Sequence, residues 1–301
     1  MFKTEPKAKI YPNARASGAI KEHRGKFKRM EIDAVLEVEA GDPQIAIDFL
    51  VANVNLSKSR LKDLMNKGGV WRVDQRGQRE RIRRAMTDVL VGEQIEIFYN
   101  DELLALKPQR AELIEDLGQY SVWNKPADMP LEGSDWGDFN SFARAVELEF
   151  SPPRECFWLT ALDYQAAGLL VLAHSRKTAL AFSETFASEK FTDAQLHYRA
   201  DVAGDIGQLT EIDLELDQQA ATTQLAKVRY DERPNRSVVD LWPKTGVKDQ
   251  LVRHLNAKGF PIIGDERYAH DLESHEGLRL RLVEMSFLCP VTGEAKNYSL
   301  I

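Results

Sequence analysis

Two cysteines in 301 residues, Cys156 and Cys289, are too few for a disulfide framework or a cysteine-built zinc site. No apolar run approaches the roughly 20 residues that cross a bilayer, so no membrane partner is expected. The first thirty residues are charged throughout and hold no apolar stretch of the kind a secretory signal needs, which makes a reducing cytoplasm the expected compartment. The histidines, His23, His174, His197, His254, His270 and His275, do not recur at metal-ligand spacing, and no metal is expected. A phosphate-cradling glycine loop is also missing, because GGVWRVDQRG lacks the Lys-Ser/Thr ending. Cys156 lies before an apolar strand, where a cysteine is far more often a core residue than a nucleophile. At 43% hydrophobic and 29% charged residues, with a mean hydropathy of −0.39, the composition is that of a globular protein with one large domain and a small one.

The net charge of −7 argues against a polyanionic partner until its distribution is read. Residues 1–29 hold nine Lys/Arg against two acids, and residues 57–84 hold ten against three. Each stretch is +7, leaving −21 on the rest of the chain. Positive charge gathered on part of an acidic body is the footprint of a localised nucleic-acid contact.

Residues 1–29 have many breakers and no sustained hydrophobic period, and read as a basic arm. From residue 30 to 100 the pattern is an alternating strand, MEIDAVLEVEAG, and two short helices, PQIAIDFLVANVN and SKSRLKDLMNKGG. Ser57 is placed to cap the second helix and Gly68-Gly69 to end it. A strand, a basic turn and a strand follow in VWRVDQRGQRERIRRAM, then the alternating EQIEIFYN. Lys58, Arg60, Lys62, Arg72, Arg76, Arg79, Arg81, Arg83 and Arg84 form a positive surface suited to phosphate backbone rather than base edges. Trp71, inside that segment, is the candidate for stacking on RNA; Trp123, Trp136, Trp158 and Trp242 are core candidates. Residues 101–119 read as a helical linker, and residues 120–301 as an α+β domain on a mixed, largely antiparallel sheet.

The segments SKSRLKDLMNKGGVWRV and VGEQIEIFY resemble the small two-helix RNA-binding domain named after a ribosomal small-subunit protein. In the second domain, WLTALDYQAAGLLVLAHS resembles the signature of the RluA-type pseudouridine synthases. Three more blocks fall in that family's order: VWNKPADMPL, LHYRADVAG, and PKTGVKDQLVRHLNAKGFPIIGDERYA, so that the likeness extends over about residues 120–270. The resemblance implies a pseudouridine-synthase-type fold and an isomerase that turns uridine into pseudouridine in ribosomal or transfer RNA, with no cofactor. It places the family's catalytic aspartate at Asp163 and its base-contacting tyrosine at Tyr198. An ionised carboxylate beside the sugar can act as nucleophile or abstract a proton while the glycosidic bond breaks and the base is rejoined through carbon. The target uridine must leave its stack to enter such a site.

The chain departs from the family pattern in four places. Thr160-Ala161 replaces His-Arg of the signature, Ala166-Ala167 replaces a polar pair, and Leu196 stands where lysine is usual. Val252 occupies the position of the arginine that normally pairs with the aspartate. Arg253, one helical step on, and Lys248, at i−4 from Val252, are the candidate substitutes. Without a cation the carboxylate tends toward a raised pKa. Two readings therefore stand: an RNA pseudouridine synthase with a substituted cation, or an RNA-binding or ribosome-assembly factor on the same fold. A nucleotide or sugar hydrolase using Asp163 is a third, disfavoured by a small domain that looks built for polymeric RNA.

Overall fold

Alternation drives the N-terminal half. In β2 (Lys28–Glu37) Ile32, Ala34 and Leu36 are buried while Asp33 and Glu37 face solvent, the period-2 signature of a half-covered strand. The computed structural model describes residues 22–24, 28–159, 162, 165–183, 185–186, 194–269 and 277–301. They fall into two units: residues 1–108 with 131–145, and residues 109–130 with 146–301.

The first unit carries a five-stranded antiparallel sheet in the order β1 (Glu22–Arg24), β2, β5 (Gln94–Asn100), β3 (Val70–Val73), β4 (Arg79–Arg81). Its core joins Ile32, Leu36, Ile95 and Ile97 to Ile47, Phe49 and Leu50 of α1 (Ala46–Asn53) and Leu61, Leu64 and Met65 of α2 (Lys58–Asn66). Ser57 caps α2 as expected, its Oγ accepting from Arg60 N at 3.3 Å. Gly68 takes the left-handed conformation (φ +84°) that ends the helix.

Residues 101–119 depart from the expected helical linker. Only α3 (Asp101–Ala105) is helical; Pro108 follows, and β6 (Glu112–Asp116) joins the large sheet beside β7 (Tyr120–Lys125). Proline denies the helix a continuation, and the alternating ELIED suits an edge strand.

In the second unit the main path of the ten-stranded sheet runs β11 (Glu211–Asp213), β12 (Thr222–Asp231), β13 (Arg236–Pro243), β10 (Ala194–Ala203), β14 (Leu280–Leu288), β9 (Ala167–Ala173), β7, β6. The short β8 (Phe157–Trp158) pairs with β9, and β15 (Ala295–Ser299) with β14. Every pairing is antiparallel except β9 with β14, giving the mixed α+β architecture anticipated from the sequence. Two further helices, α5 (Arg176–Ala181) and α6 (Gln250–Ala257), belong to this unit, and α4 (Phe142–Glu149) straddles the boundary. β9 is buried along nearly its whole length, which is why AGLLVLA reads as one apolar run instead of an alternation. Among the described residues no helix is long and apolar enough to cross a membrane.

Candidate functional site

One row of residues crosses the large sheet. Leu241 on β13 pairs with Tyr198 on β10, Tyr198 with Leu282 on β14, Leu282 with Gly168 on β9, and Gly168 with Lys125 on β7. At about 4.8 Å per strand, Tyr198 and Gly168 stand roughly 10 Å apart along it. Asp163 lies outside the described residues, as do Thr160, Ala161 and Tyr164. The described residues around it, Leu162, Gln165 and Ala166, are all buried.

Gly168 is required where it stands. A Cβ there would lie 2.2 Å from Leu282 O and 2.7 Å from Leu282 N, and its φ is +116°. The parallel pair β9–β14 closes only because that side chain is absent.

Tyr198 is buried, and its position follows a register shift between His197 and Tyr198. Burial pushes its phenol up to about 12, so near neutral pH it is an O–H donor and not a phenolate.

The late sequence block resolves into a buried polar staple. Gln250 Oε1 accepts from Thr245 Oγ1 at 2.8 Å and from Val247 N at 3.2 Å; its Nε2 donates to Thr222 O at 3.0 Å and Thr223 Oγ1 at 2.9 Å. His254 lies 3.0 Å from Thr223 Oγ1 through Nδ1 and 3.3 Å from Leu214 O through Nε2. Burial lowers the His254 pKa, which keeps the ring neutral. These residues lock α6 against β12, a positioning task that the block resemblance left without a role.

The two candidate pairing cations lie among the described residues, while the aspartate they were matched to does not. Arg253 turns to Asp217, with Nη1 2.7 Å from Oδ2 and Nη2 2.9 Å from Oδ1. Its guanidinium is occupied by a surface carboxylate because the step from Val252, which is buried, rotates it outward. Lys248 is exposed. The cation on the Tyr198–Gly168 row is instead Lys125, fully buried, whose Nζ donates to Pro126 O at 2.9 Å and Met129 O at 3.1 Å. Sequence reasoning noted its Lys-Pro block but gave the lysine no part; a lysine inside an otherwise apolar strand was the available signal.

In the small unit the nine basic candidates divide. Arg60, Lys62, Arg76 and Arg84 are exposed and make no ion pair among the described residues. Lys58 meets Asp48 at 2.9 Å, and Arg72 pairs with Glu80. Arg79 reaches Glu96 at 2.7 Å and Asp135 at 2.6 Å. Arg83 holds Asp138 with both terminal nitrogens, and Arg81 bonds Ser134 O at 2.7 Å and approaches Asp138 at 3.4 Å. Two guanidinium groups lie over Trp71, with Arg79 Cζ 4.0 Å and Arg81 Cζ 3.9 Å from its ring centroid. Among the described residues no group of three His, Cys, Asp or Glu is arranged to hold a metal ion.

Residues 119–257 match the family described as RNA pseudouridylate synthase. The tRNA pseudouridine synthase C of Haemophilus ducreyi is 32% identical over 182 residues, covering 52% of this chain and 72% of the relative. The dual-specificity RNA pseudouridine synthase RluA of Vibrio parahaemolyticus is 32% identical over 150 residues, 43% of this chain and 59% of its own. The human RNA pseudouridylate synthase domain containing 1 shares the fold, with a TM-score of 0.52 at 17% identity over 65% of this chain and 86% of that one.

Proposed function

Since the chain belongs to the RluA-type RNA pseudouridine synthase family, we propose that it isomerises uridine to pseudouridine in structured RNA. Transfer or ribosomal RNA in the cytoplasm is the substrate class that fits: one relative is named for transfer RNA and another for a dual specificity toward RNA. The observation that carries the reading is the sheet row: a buried, protonated Tyr198 stands two strands from Gly168, which lies five positions after Asp163 in the sequence. In this proposal Asp163 is the catalytic carboxylate. Tyr198 packs on the extruded base and keeps its proton available at the base carbon. Lys125, on the same row, supplies the positive charge that Val252 cannot. No cofactor is needed, since the bond broken and the bond formed are both between the same sugar and base.

The small unit, with Lys58, Arg60, Lys62, Arg72, Arg76 and Arg84 on it, would hold the RNA backbone. As a proposed domain scheme, residues 1–29 form a basic arm, 30–100 the RNA-binding domain and 120–301 the catalytic one. The test is to map pseudouridines in cellular RNA of a deletion strain, then complement with the wild-type chain and with Asp163→Asn. A site that vanishes on deletion, returns with the wild type and stays absent with Asp163→Asn supports the assignment. A full pseudouridine map in the deletion strain would leave only a non-catalytic RNA-binding role.

A further inference from the structure

Three of the arginines that the charge pattern assigns to RNA already hold an acidic ligand, and it comes from this chain. Residues 131–139, LEGSDWGDF, contain three carboxylates and no base. Within the first unit this hairpin closes on itself through Ser134 N to Gly137 O at 3.0 Å and Gly137 N to Ser134 O at 3.1 Å. Asp138 meets Arg83 in a two-pronged pair, Asp135 meets Arg79, and Ser134 O takes Arg81. Trp71 Nε1 donates to Asp135 O at 3.0 Å, and Asp138 N to Lys67 O at 3.1 Å. Trp136 packs edge-on to Phe98 with ring centroids 5.6 Å apart.

The contact is shaped by glycines on both sides. A Cβ on Gly68 would come 2.6 Å from Asp138 Oδ1, and one on Gly69 would come 2.7 Å from Phe98 O and 3.1 Å from Trp136 O. One on Gly137 would lie 2.8 Å from Lys67 O. A carboxylate gripped by both terminal nitrogens of a guanidinium, beside a tryptophan with two arginines close over its ring, is the arrangement that would grip a phosphate next to a stacked base.

We infer that the 131–139 hairpin is an internal phosphate mimic seated on the arginine face of the small unit, and that RNA engages Arg79, Arg81 and Arg83 by displacing it. This rests on the reading of the small unit as an RNA-binding module. The hairpin makes the face selective: a weak or short polyanion cannot outcompete a tethered carboxylate pair, whereas a long backbone already held by Lys62 and Arg84 can.

The test is the full chain with Asp135→Asn and Asp138→Asn together, titrated with a stem-loop RNA between 50 and 200 mM salt. The inference expects binding roughly tenfold tighter at the low-salt end and a log–log salt slope steeper by about two, since each added phosphate contact contributes about 0.9. Equal or weaker affinity with an unchanged slope would make the hairpin a permanent brace and overturn the inference alone. Absence of RNA binding by both proteins would remove the RNA-binding reading and the inference with it. Should the double variant fail to fold, amide exchange of residues 134–138 in the wild type decides. Faster exchange on RNA saturation is the expected result; unchanged or slower exchange refutes displacement.

Discussion

Replacing Gly168 by alanine tests the sheet row on which the catalytic proposal stands. The added methyl would sit 2.2 Å from Leu282 O, 2.7 Å from its N and 2.8 Å from its C, all backbone atoms that no side-chain rotation can move aside. Overpacking of this kind costs about 1–3 kcal/mol. A non-glycine residue at φ +116° adds strain of about 1–3 kcal/mol. The sum, about 2–6 kcal/mol, lowers the melting temperature of a domain this size by roughly 5–20 °C. Gly207→Ala is the internal control: its φ is +65° but nothing lies within 4 Å of the new Cβ, so it bears only the conformational cost of about 1–2 kcal/mol. Thermal unfolding followed by circular dichroism compares the two. The overpacking that only Gly168→Ala bears, about 1–3 kcal/mol, should make it melt roughly 2–12 °C below Gly207→Ala, and it should lose pseudouridine formation at temperatures where it is still folded. Equal melting temperatures would mean that β9 and β14 do not approach each other as described.

Stability should also depend on pH through His254. Its folded pKa is depressed, so below the unfolded value of about 6.5 the unfolded chain takes up the proton first and stability falls as pH drops. His254→Gln should flatten the denaturant-measured loss between pH 7.5 and 5.5 without abolishing it, because His174 is depressed by burial too and acts with the same sign; an unaltered pH slope would refute this. Lys62→Glu with Arg84→Glu should weaken RNA binding and reduce the salt slope by about two, and unchanged affinity would remove that surface from the interface. Arg253→Ala should leave product formation within about threefold, since exposed ion pairs contribute roughly 0–1 kcal/mol; a loss of a hundredfold would return Arg253 to the catalytic carboxylate.

Local chemistry was the part of the fold that the sequence declared. Ser57 caps, Gly68 terminates, and the hairpin VWRVDQRGQRER pairs Trp71 with Arg81 as its turn residues imply. What stayed hidden depends on partners distant in the chain. Nothing in the alternation of RLRLVEMSFL announces that β14 will sit between β10 and β9. Nothing near Arg83 announces a carboxylate 55 residues later. At the candidate site, Asp163 and Tyr198 came from ordered blocks, while Lys125 became visible only when the strand register put it on the row of Tyr198 and Gly168. The reassignment of Arg253 to Asp217 has the same origin: helix rotation, not sequence adjacency, decides what a side chain meets.

The separation of Arg83 from Asp138 also has a consequence in time. At about 5–20 residues per second, a ribosome needs roughly 3–11 s to add the 55 residues between them. Throughout that interval the emerging small unit carries its arginines without their carboxylates, at the mouth of a machine made largely of RNA. The chain thus passes through a strongly cationic youth, and acquires its own neutralising segment only when β7, which carries Lys125, has already been made.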